Sequence, residues 1–257
     1  MIELLDPTTI AVLALVAFSA GFIDAVAGGG GMLTVPALLS IGLPPHIALG
    51  TNKLSATFAS STAAFTYYKK KLFSPAFWTQ AFIATLVGAI IGTLIVDYIS
   101  TEWLEKSLPL IILAVAVYTI WHPQPKADNH ELPKDDPKIK TKQWGQGLAL
   151  GFYDGVVGPG TGAFWTVSSM SLYKMNILLS SGLAKAMNFT SNIASLVTFI
   201  ILGHVNWAIG LTMGVCLMAG AFIGAHSAIR FGAKFIRPIF VTVVVVMAVK
   251  LAYSAWF

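Results

Sequence analysis

The stretch at residues 21–31 places an aspartate and four consecutive glycines inside an apolar run, and it limits the possible fold more than any other segment. A carboxylate in hydrocarbon is costly unless another group pairs with it. Consecutive glycines lose the most backbone entropy on ordering and do not sustain a helix. Broken backbone persists in a bilayer only where it is buried in protein or lines a polar cavity. The stretch therefore predicts either a strained packing point or the floor of a site.

A similar stretch recurs at residues 151–160, again with an aspartate followed by a glycine-rich break. The rest of the composition is that of a membrane protein, since 56% of the 257 residues are hydrophobic and 11% are charged. Apolar runs of about 20 residues recur along almost the whole chain, so we predict an all-α polytopic membrane protein. The net charge of +5 is typical of basic cytoplasmic loops and does not indicate nucleic-acid binding.

The sequence carries no signature of catalysis or of a cofactor. No Cys-x-x-Cys pair, histidine cluster or Gly-x-Ser-x-Gly motif occurs, and the single Cys216 lies in an apolar run. We therefore expect no enzymatic activity, no metal and no cofactor. The first apolar run lacks a basic flank and a cleavage pattern, so we interpret it as a retained helix and not as a signal peptide.

Five apolar segments are predicted in the first half, at residues 8–27, 32–41, 46–68, 77–96 and 103–121. The second segment is too short for an ordinary span, so it is either a steep crossing or a re-entrant helix. The fourth carries Ala84, Gly88 and Gly92 on one small-residue face, which suits close helix contact. Residues 123–143 are rich in proline, lysine and aspartate and are predicted to form a solvated linker.

The second half of the chain repeats the first. The aspartate motif recurs at an offset of 130, a Gly-Ala-x-Ile-Gly motif at an offset of 132, and a segment-opening proline at an offset of 129. Lysines occupy corresponding places inside apolar runs, at Lys53 and Lys185. Three anchors in the same order indicate two homologous transmembrane repeats, residues 1–122 and 144–257, joined by the linker.

The basic residues decide how the repeats are oriented, because cytoplasmic loops carry the excess of lysine and arginine. With five crossings per half and an external start, residues 69–71, Lys174 and the basic group at 230–237 all lie inside. With four crossings per half, residues 69–71 and 230–237 lie on opposite sides. We therefore predict two inverted repeats, with a cytoplasmic linker and both termini outside. Inverted repeats around helices broken near mid-membrane are a secondary-transporter architecture.

Lys53 and Lys185 are the clearest candidates for a binding site. Each alone is explained by snorkelling to the interface, whereas their matching positions favour a cationic pocket for an anion at the repeat interface. Helix N-termini at the glycine breaks would add to it, since their N–H groups and dipole attract anions. The predicted substrate-binding residues are Gly29, Gly30, Thr51, Asn52, Lys53, Gly160, Lys185, Asn188 and Asn192.

Asp24 and Asp154 need a separate account, because ionised carboxylates in this pocket would repel an anion. Four roles stay open: a protonated acid, a partner of Lys53 or Lys185, a proton relay, or a cap for backbone freed by the glycines. Two histidines near predicted segment ends are not interpreted as proton carriers. We interpret His204 as a solvated loop residue and His226 as a packing residue.

The motifs at residues 21–31, 48–54, 151–160 and 184–192 resemble those of the TauE/SafE family of membrane permeases, especially its YfcA-like members. The resemblance covers the chain except for the linker at residues 123–143. It implies an inner-membrane, multi-pass transporter of sulfur-containing anions such as sulfite, thiosulfate or organosulfonates. Members of that family are often drawn with seven or eight helices, so the ten predicted segments depart from that pattern.

Together, the residues and the resemblance predict a secondary transporter of small anions that works by alternating access around the cationic pocket. The alternative is an anion channel that uses the same unwound motifs as a filter. The expected partners are a small sulfur oxyanion or sulfonate and the lipid bilayer. A homodimer is left open, and no nucleic-acid partner is expected.

Overall fold

The computed structural model describes residues 6–104, 106–107, 131–133, 136–232 and 235. Most of the predicted segment at 103–121 and the segment opened by Pro238 lie outside these residues. The described ranges contain eight helices whose two ends are defined. They are α1 Pro7–Ala27, α2 Gly31–Ser40, α3 Pro45–Lys69, α4 Thr79–Asp97, α5 Pro137–Val156, α6 Thr161–Tyr173, α7 Ile177–Ile201 and α8 Trp207–Phe231.

The ends of α1 follow from its local sequence. Asp6 is the N-cap, and its carboxylate accepts a hydrogen bond from Thr9 N at 2.6 Å, which lowers the pKa of Asp6. Proline occupies the first helical position, where its missing N–H costs nothing. The helix ends because Gly28 adopts a left-handed conformation with φ of 82°, which glycine reaches without a Cβ clash.

The first four predicted segments agree with α1 to α4 to within a turn, and the all-helical prediction is confirmed. One boundary was wrong: α5 begins at Pro137, inside the stretch that we predicted to be linker. The Asp136 carboxylate accepts a hydrogen bond from Lys138 N at 2.7 Å, so the helix starts from a cap and a proline. Apolar periodicity alone does not register such a polar first turn.

Three described helices are long and apolar enough to cross a membrane by length and composition: α1, α4 and α8. Their outer faces expose large apolar side chains such as Leu15, Leu94 and Val215, which suits contact with lipid. Helices α3 and α7 have 25 residues each but are more polar. The short helices α2 and α6 extend only about 15 and 20 Å, well below the roughly 30 Å hydrocarbon thickness.

The first helix of each half packs most extensively on the fourth helix of the other half, α1 on α8 and α5 on α4. Glycines allow this close approach. A Cβ on Gly88 or Gly92 would lie 2.5 or 2.3 Å from carbonyl oxygens of α5, at Leu148 and Phe152. The predicted small-residue face of α4 is therefore confirmed as a close helix contact. In both pairs the two helices run in the same direction, as the order of the contacting residues requires.

Helices α3 and α7 lie in contact at the centre of the bundle and run in opposite directions. Ser60 of α3 meets Asn192 of α7, while Tyr67, further along α3, meets Gly182 near the start of α7. Helix α3 runs parallel to α8, because Leu54 packs on Gly210 and Phe58 on Gly214. Since α1 is also parallel to α8, α1 and α3 point the same way, and the short α2 connects them.

Candidate functional site

The two glycine breaks meet each other in the interior. Ala163 N, in the first turn of α6, donates a hydrogen bond to Gly28 O at 3.3 Å. A Cβ on Gly28 would lie 2.4 Å from the carbonyl carbon of Gly162, so the two backbones touch where only glycine fits. Gly158 and Gly160 turn the chain from α5 into α6 with φ of 89° and 86°. The breaks therefore bring the starts of both short helices to one place.

Two buried ion pairs cross between the halves at this place. Lys53 Nζ lies 3.0 Å from Asp154 Oδ2, and it also donates a hydrogen bond to the Asp154 carbonyl oxygen. Lys185 Nζ lies 3.8 Å from Asp24 Oδ2, and it also donates to the Asp24 carbonyl oxygen. Both lysine side chains are at most 2% exposed. Each cation therefore forms an ion pair with the carboxylate of the opposite half and donates a hydrogen bond to its broken helix end.

A cavity with a volume of about 30 Å³ lies between the two breaks. Backbone from the first turns of α2 and α6 forms part of its wall, so two positive helix ends face the same space. The charged groups among its described lining residues are Asp24, Lys53 and Asp154. Three amides and two hydroxyls complete the polar part of the wall. They are Asn52, Asn188, Asn192, Thr34 and Thr161.

Hydrogen bonds fix most of these polar side chains. Thr34 Oγ1 donates to Asn52 Oδ1 at 2.5 Å, and Thr161 Oγ1 lies 2.9 Å from Asp154 Oδ1. Asn192 Nδ2 donates to Ser60 Oγ at 3.4 Å. Asn188 differs, since its buried Oδ1 has no hydrogen-bond partner among the described residues. A buried amide of this kind costs free energy unless a bound species satisfies it.

The structure brings eight of the residues that we singled out to the cavity wall. They are Asp24, Gly30, Asn52, Lys53, Asp154, Gly160, Asn188 and Asn192. Three predicted binding residues do not line it. Gly29 lies between lining glycines, Lys185 stands behind Asp24, and the Thr51 hydroxyl accepts a hydrogen bond from Asn206 N at 2.9 Å.

The geometry of a helix explains why Thr51 does not line the cavity. Consecutive residues are rotated by about 100° around the helix axis, so Thr51, Asn52 and Lys53 do not all face one cavity. Sequence reasoning also missed Thr34 and Thr161. Both lie in the first turns of the short helices, and small hydroxyl residues directly after a glycine break were the available signal.

The aspartates combine two of the four roles that the sequence left open. Asp24 pairs with Lys185, and its Oδ1 also accepts a hydrogen bond from Gly30 N at 3.3 Å. Asp154 pairs with Lys53 and is held by Thr161. Ion pairing and capping therefore occur at the same side chains.

His204 lies in a loop, as predicted, and both histidines make contacts that the sequence did not predict. The His204 Nε2 atom lies 2.7 Å from Asp97 Oδ1, and its ring centroid is 5.3 Å from that of His46, so it is a contact residue within its loop. His226 is exposed on α8, where its Nδ1 lies 2.8 Å from Phe222 O. The His226 contact is local to its own helix, whereas the His204 contact joins residues that are 107 apart in sequence, and hydropathy predicts neither.

Comparison with known proteins places this architecture among transporters. The family model described as sulfite exporter TauE/SafE matches residues 13–251. A "Probable membrane transporter protein" of Haemophilus influenzae is 37% identical over 253 residues, covering 96% of each chain. The "Probable membrane transporter protein YfcA" of Escherichia coli (strain K12) is 36% identical over 258 residues, covering 98% of this chain and 93% of the relative. No solved structure matches the chain.

Proposed function

The chain belongs to the TauE/SafE family of membrane transporters, and from that premise we propose that it is a secondary transporter of small sulfur-containing anions. Sulfite, thiosulfate and organosulfonates are the proposed substrates, and the inner membrane is the proposed location. The observation that carries the proposal is the pair of buried lysines, crossed between the halves beside a cavity that two helix N-termini face. Every donor in that wall favours a negative charge.

Helix directions support alternating access between two inverted repeats. Helices α3 and α7 occupy matching places in the two halves, and they run antiparallel across the centre of the molecule. Helices α1 and α3 point the same way. The chain must therefore cross back through the membrane between them, and α2 lies on that return path. Both observations agree with five crossings per half and not with four. An inverted pair around a central site is the architecture that alternating access requires.

The small cavity favours a transporter over a channel. A volume of about 30 Å³ is small for a conduction pathway, which has to admit a continuous file of ions and water. Passage of a substrate would then involve movement of the walls, with the glycine breaks before α2 and α6 as hinges. A channel with the same filter would conduct without such a movement on each passage.

The first experiment is a binding screen on the purified protein. Sulfite, thiosulfate and methanesulfonate are added in turn, and thermal unfolding is followed in detergent, because a ligand that binds the folded state raises Tm. A rise with one of these anions and not with chloride supports the proposal. If none of them raises Tm or competes with another, the proposed substrate class is wrong.

The second experiment substitutes Lys53 and takes into account its ion pair with Asp154. Lys53→Met leaves Asp154 buried without its cation, so we expect that single variant to lose stability. The double variant Lys53→Met with Asp154→Asn keeps the site neutral and should weaken anion binding by about tenfold or more, which corresponds to roughly 1.4 kcal/mol. Lys106→Met is the control, because Lys106 pairs with Glu102 on the surface and is 75% exposed.

Turnover separates the transporter from the channel. In proteoliposomes loaded with unlabelled anion, a transporter accelerates the entry of labelled anion by counterflow. A channel passes ions orders of magnitude faster and shows no counterflow. If the protein conducts ions rapidly and shows no counterflow, it is a channel and the transporter hypothesis is wrong.

A further inference from the structure

Asp24 and Asp154 occupy matching positions in the two halves, but their surroundings differ. The Asp154 side chain is 6% exposed and lies 3.0 Å from its lysine, and Thr161 Oγ1 lies 2.9 Å from its other carboxylate oxygen. The Asp24 side chain is 17% exposed and lies 3.8 Å from Lys185, with one backbone N–H at 3.3 Å. The contacts that hold the ionised form of Asp24 are longer, and Asp24 is the more accessible of the two.

The charge of the site limits how an anion enters it. Two lysines and two aspartates sum to zero, so both cations are already neutralised. An added anion would leave a net negative charge in a buried space, which is strongly unfavourable. Charge balance returns if one carboxylate takes a proton, because its lysine then carries an unpaired positive charge next to the cavity.

From these two observations we propose that Asp24 is the binding site of a co-transported proton, and that one proton accompanies each monoanionic substrate. This inference rests on the proposed function. A proton from solution binds an Asp24 carboxylate oxygen and forms an O–H bond, and Lys185 then balances the entering anion. Proton and anion leave together on the opposite side, and the Asp24–Lys185 pair forms again. A monoanion is thus carried electroneutrally.

The groups around Asp24 fit this role. Lys185 of α7 is its only charged partner among the described residues, and the Tyr67 hydroxyl of α3 donates a hydrogen bond to Ala25 O at 3.3 Å. Leu217 of α8 and Gly162 of α6 complete the wall near it without charge. Lys53 and Asp154 stay paired on the other side of the cavity, where they add a fixed, neutral dipole.

The test measures anion and proton movement in the same proteoliposomes, with labelled sulfite or methanesulfonate outside and a pH-sensitive dye inside. Wild-type protein should acidify the lumen as the anion enters. Asp24→Asn should lower proton movement at least tenfold and leave a measurable anion exchange whose rate no longer depends on pH. The double variant Lys53→Met with Asp154→Asn keeps the charge balance of the site and should keep coupled proton movement. Glu102→Gln, at a surface carboxylate that is 77% exposed, is the matched control and should couple as the wild type does.

A second measurement needs no variant. Calorimetry of anion binding to the wild type in two buffers with different ionisation heats gives the protons taken up, and we expect about one proton per monoanion. Anion exchange without proton movement, zero proton uptake on binding, or wild-type coupling in Asp24→Asn would each overturn the proton site while the transporter stands. Failure of every anion to bind or exchange would instead reject the proposed function itself.

Discussion

The two ends of the central helix pair α3 and α7 are built differently, although the site between them uses matching parts of both halves. At one end, which we call the histidine end, His46, Asp97 and His204 meet. The positions that match them at an offset of 132 are Leu178, Ile229 and Leu72, and these form the leucine end. All three side chains of the leucine end pack against the main hydrophobic cluster.

Directed contacts hold the histidine end. His204 lies 2.7 Å from Asp97 Oδ1, His46 Nε2 lies 3.1 Å from Val96 O, and Asn206 N donates to the Thr51 hydroxyl at 2.9 Å. Apolar contact has no preferred direction and gives way gradually, whereas hydrogen bonds are made or broken. The comparison therefore teaches that the halves share a common site chemistry but differ at the two ends of the helix pair. With the proposed alternating access, opening one end would break polar contacts and opening the other would expose apolar surface.

Orientation in the membrane gives the largest effect that the comparison predicts. Lysines 69–71 lie beside the leucine end, so we expect that end in the cytoplasm and the histidine end outside. On a Cys216→Ala background, a cysteine at the exposed Ser100 should react fully with an impermeant thiol reagent in intact cells. Cysteines at the exposed Lys70 and Asp136 should not react until the cells are opened.

Protection of the cysteine at position 100 would reverse the assigned orientation. Labelling of only one of the cysteines at positions 70 and 136 in intact cells would contradict it. The labelling also tests the predicted cytoplasmic linker, because Asp136 precedes α5 directly. Lys70 and Asp136 share a side with either number of crossings, so a cysteine at the exposed Lys174 separates the two models: it lies with Lys70 for five crossings per half and opposite to Lys70 for four. If it lies opposite to Lys70, the inverted arrangement loses its main support.

The second largest predicted effect is on stability, when the glycine at each end of the helix pair is replaced by alanine. A Cβ on Gly50 would lie 2.0 Å from the His204 carbonyl oxygen, whereas a Cβ on the matching Gly182 would lie 3.1 Å from Leu72. Gly50→Ala should therefore destabilise the protein by about 3 kcal/mol, the upper range for overpacking. Gly182→Ala should be near neutral, because the roughly 1 kcal/mol gain in helix propensity offsets a small shift of the leucine.

Thermal unfolding in detergent measures both variants, with Gly145→Ala as the control. A Cβ on Gly145 meets nothing within 4 Å, so that variant should be neutral or slightly stabilising. Equal losses at Gly50 and Gly182 would mean that the two ends are packed alike. The structural difference between them would then have no energetic counterpart.

Much of the fold was predictable because the length and hydropathy of a local segment are enough to indicate a membrane helix. The run at residues 8–27 needed only its length and polarity to predict α1, and the glycine break needed only its backbone entropy. The lysines were predictable as a pair because they recur at matching positions. Their partners were not, since Lys53 and Asp154 are 101 residues apart and Lys185 and Asp24 are 161 apart.

The crossed pairing depends on how the two halves pack, which no local pattern records. The prediction of a cationic pocket was therefore incomplete, because it left the pairing of the aspartates with the lysines open, and each lysine pairs with the aspartate of the other half. The histidine end was missed for the same reason. In the sequence, His204 resembles an ordinary loop residue. Its partner Asp97, at the end of α4, is 107 residues away in sequence and becomes a neighbour only in the folded structure.

The smallest predicted effect concerns the ion pair of the histidine end. His204 and Asp97 are each 28% exposed, so solvent and salt screen their attraction. A double-mutant cycle with His204→Gln and Asp97→Asn should give a coupling free energy of about 1 kcal/mol or less, measured by thermal unfolding in buffers that protonate histidine.

At the other end, Leu72→Ala should lower stability through lost apolar burial, and this loss should be as large at high salt as at low salt. If the histidine–aspartate coupling persists undiminished in about 1 M salt, where the screening length is roughly 3 Å, the pair is held by packing and not by charge. The two ends would then differ in residue type but not in the kind of force that closes them.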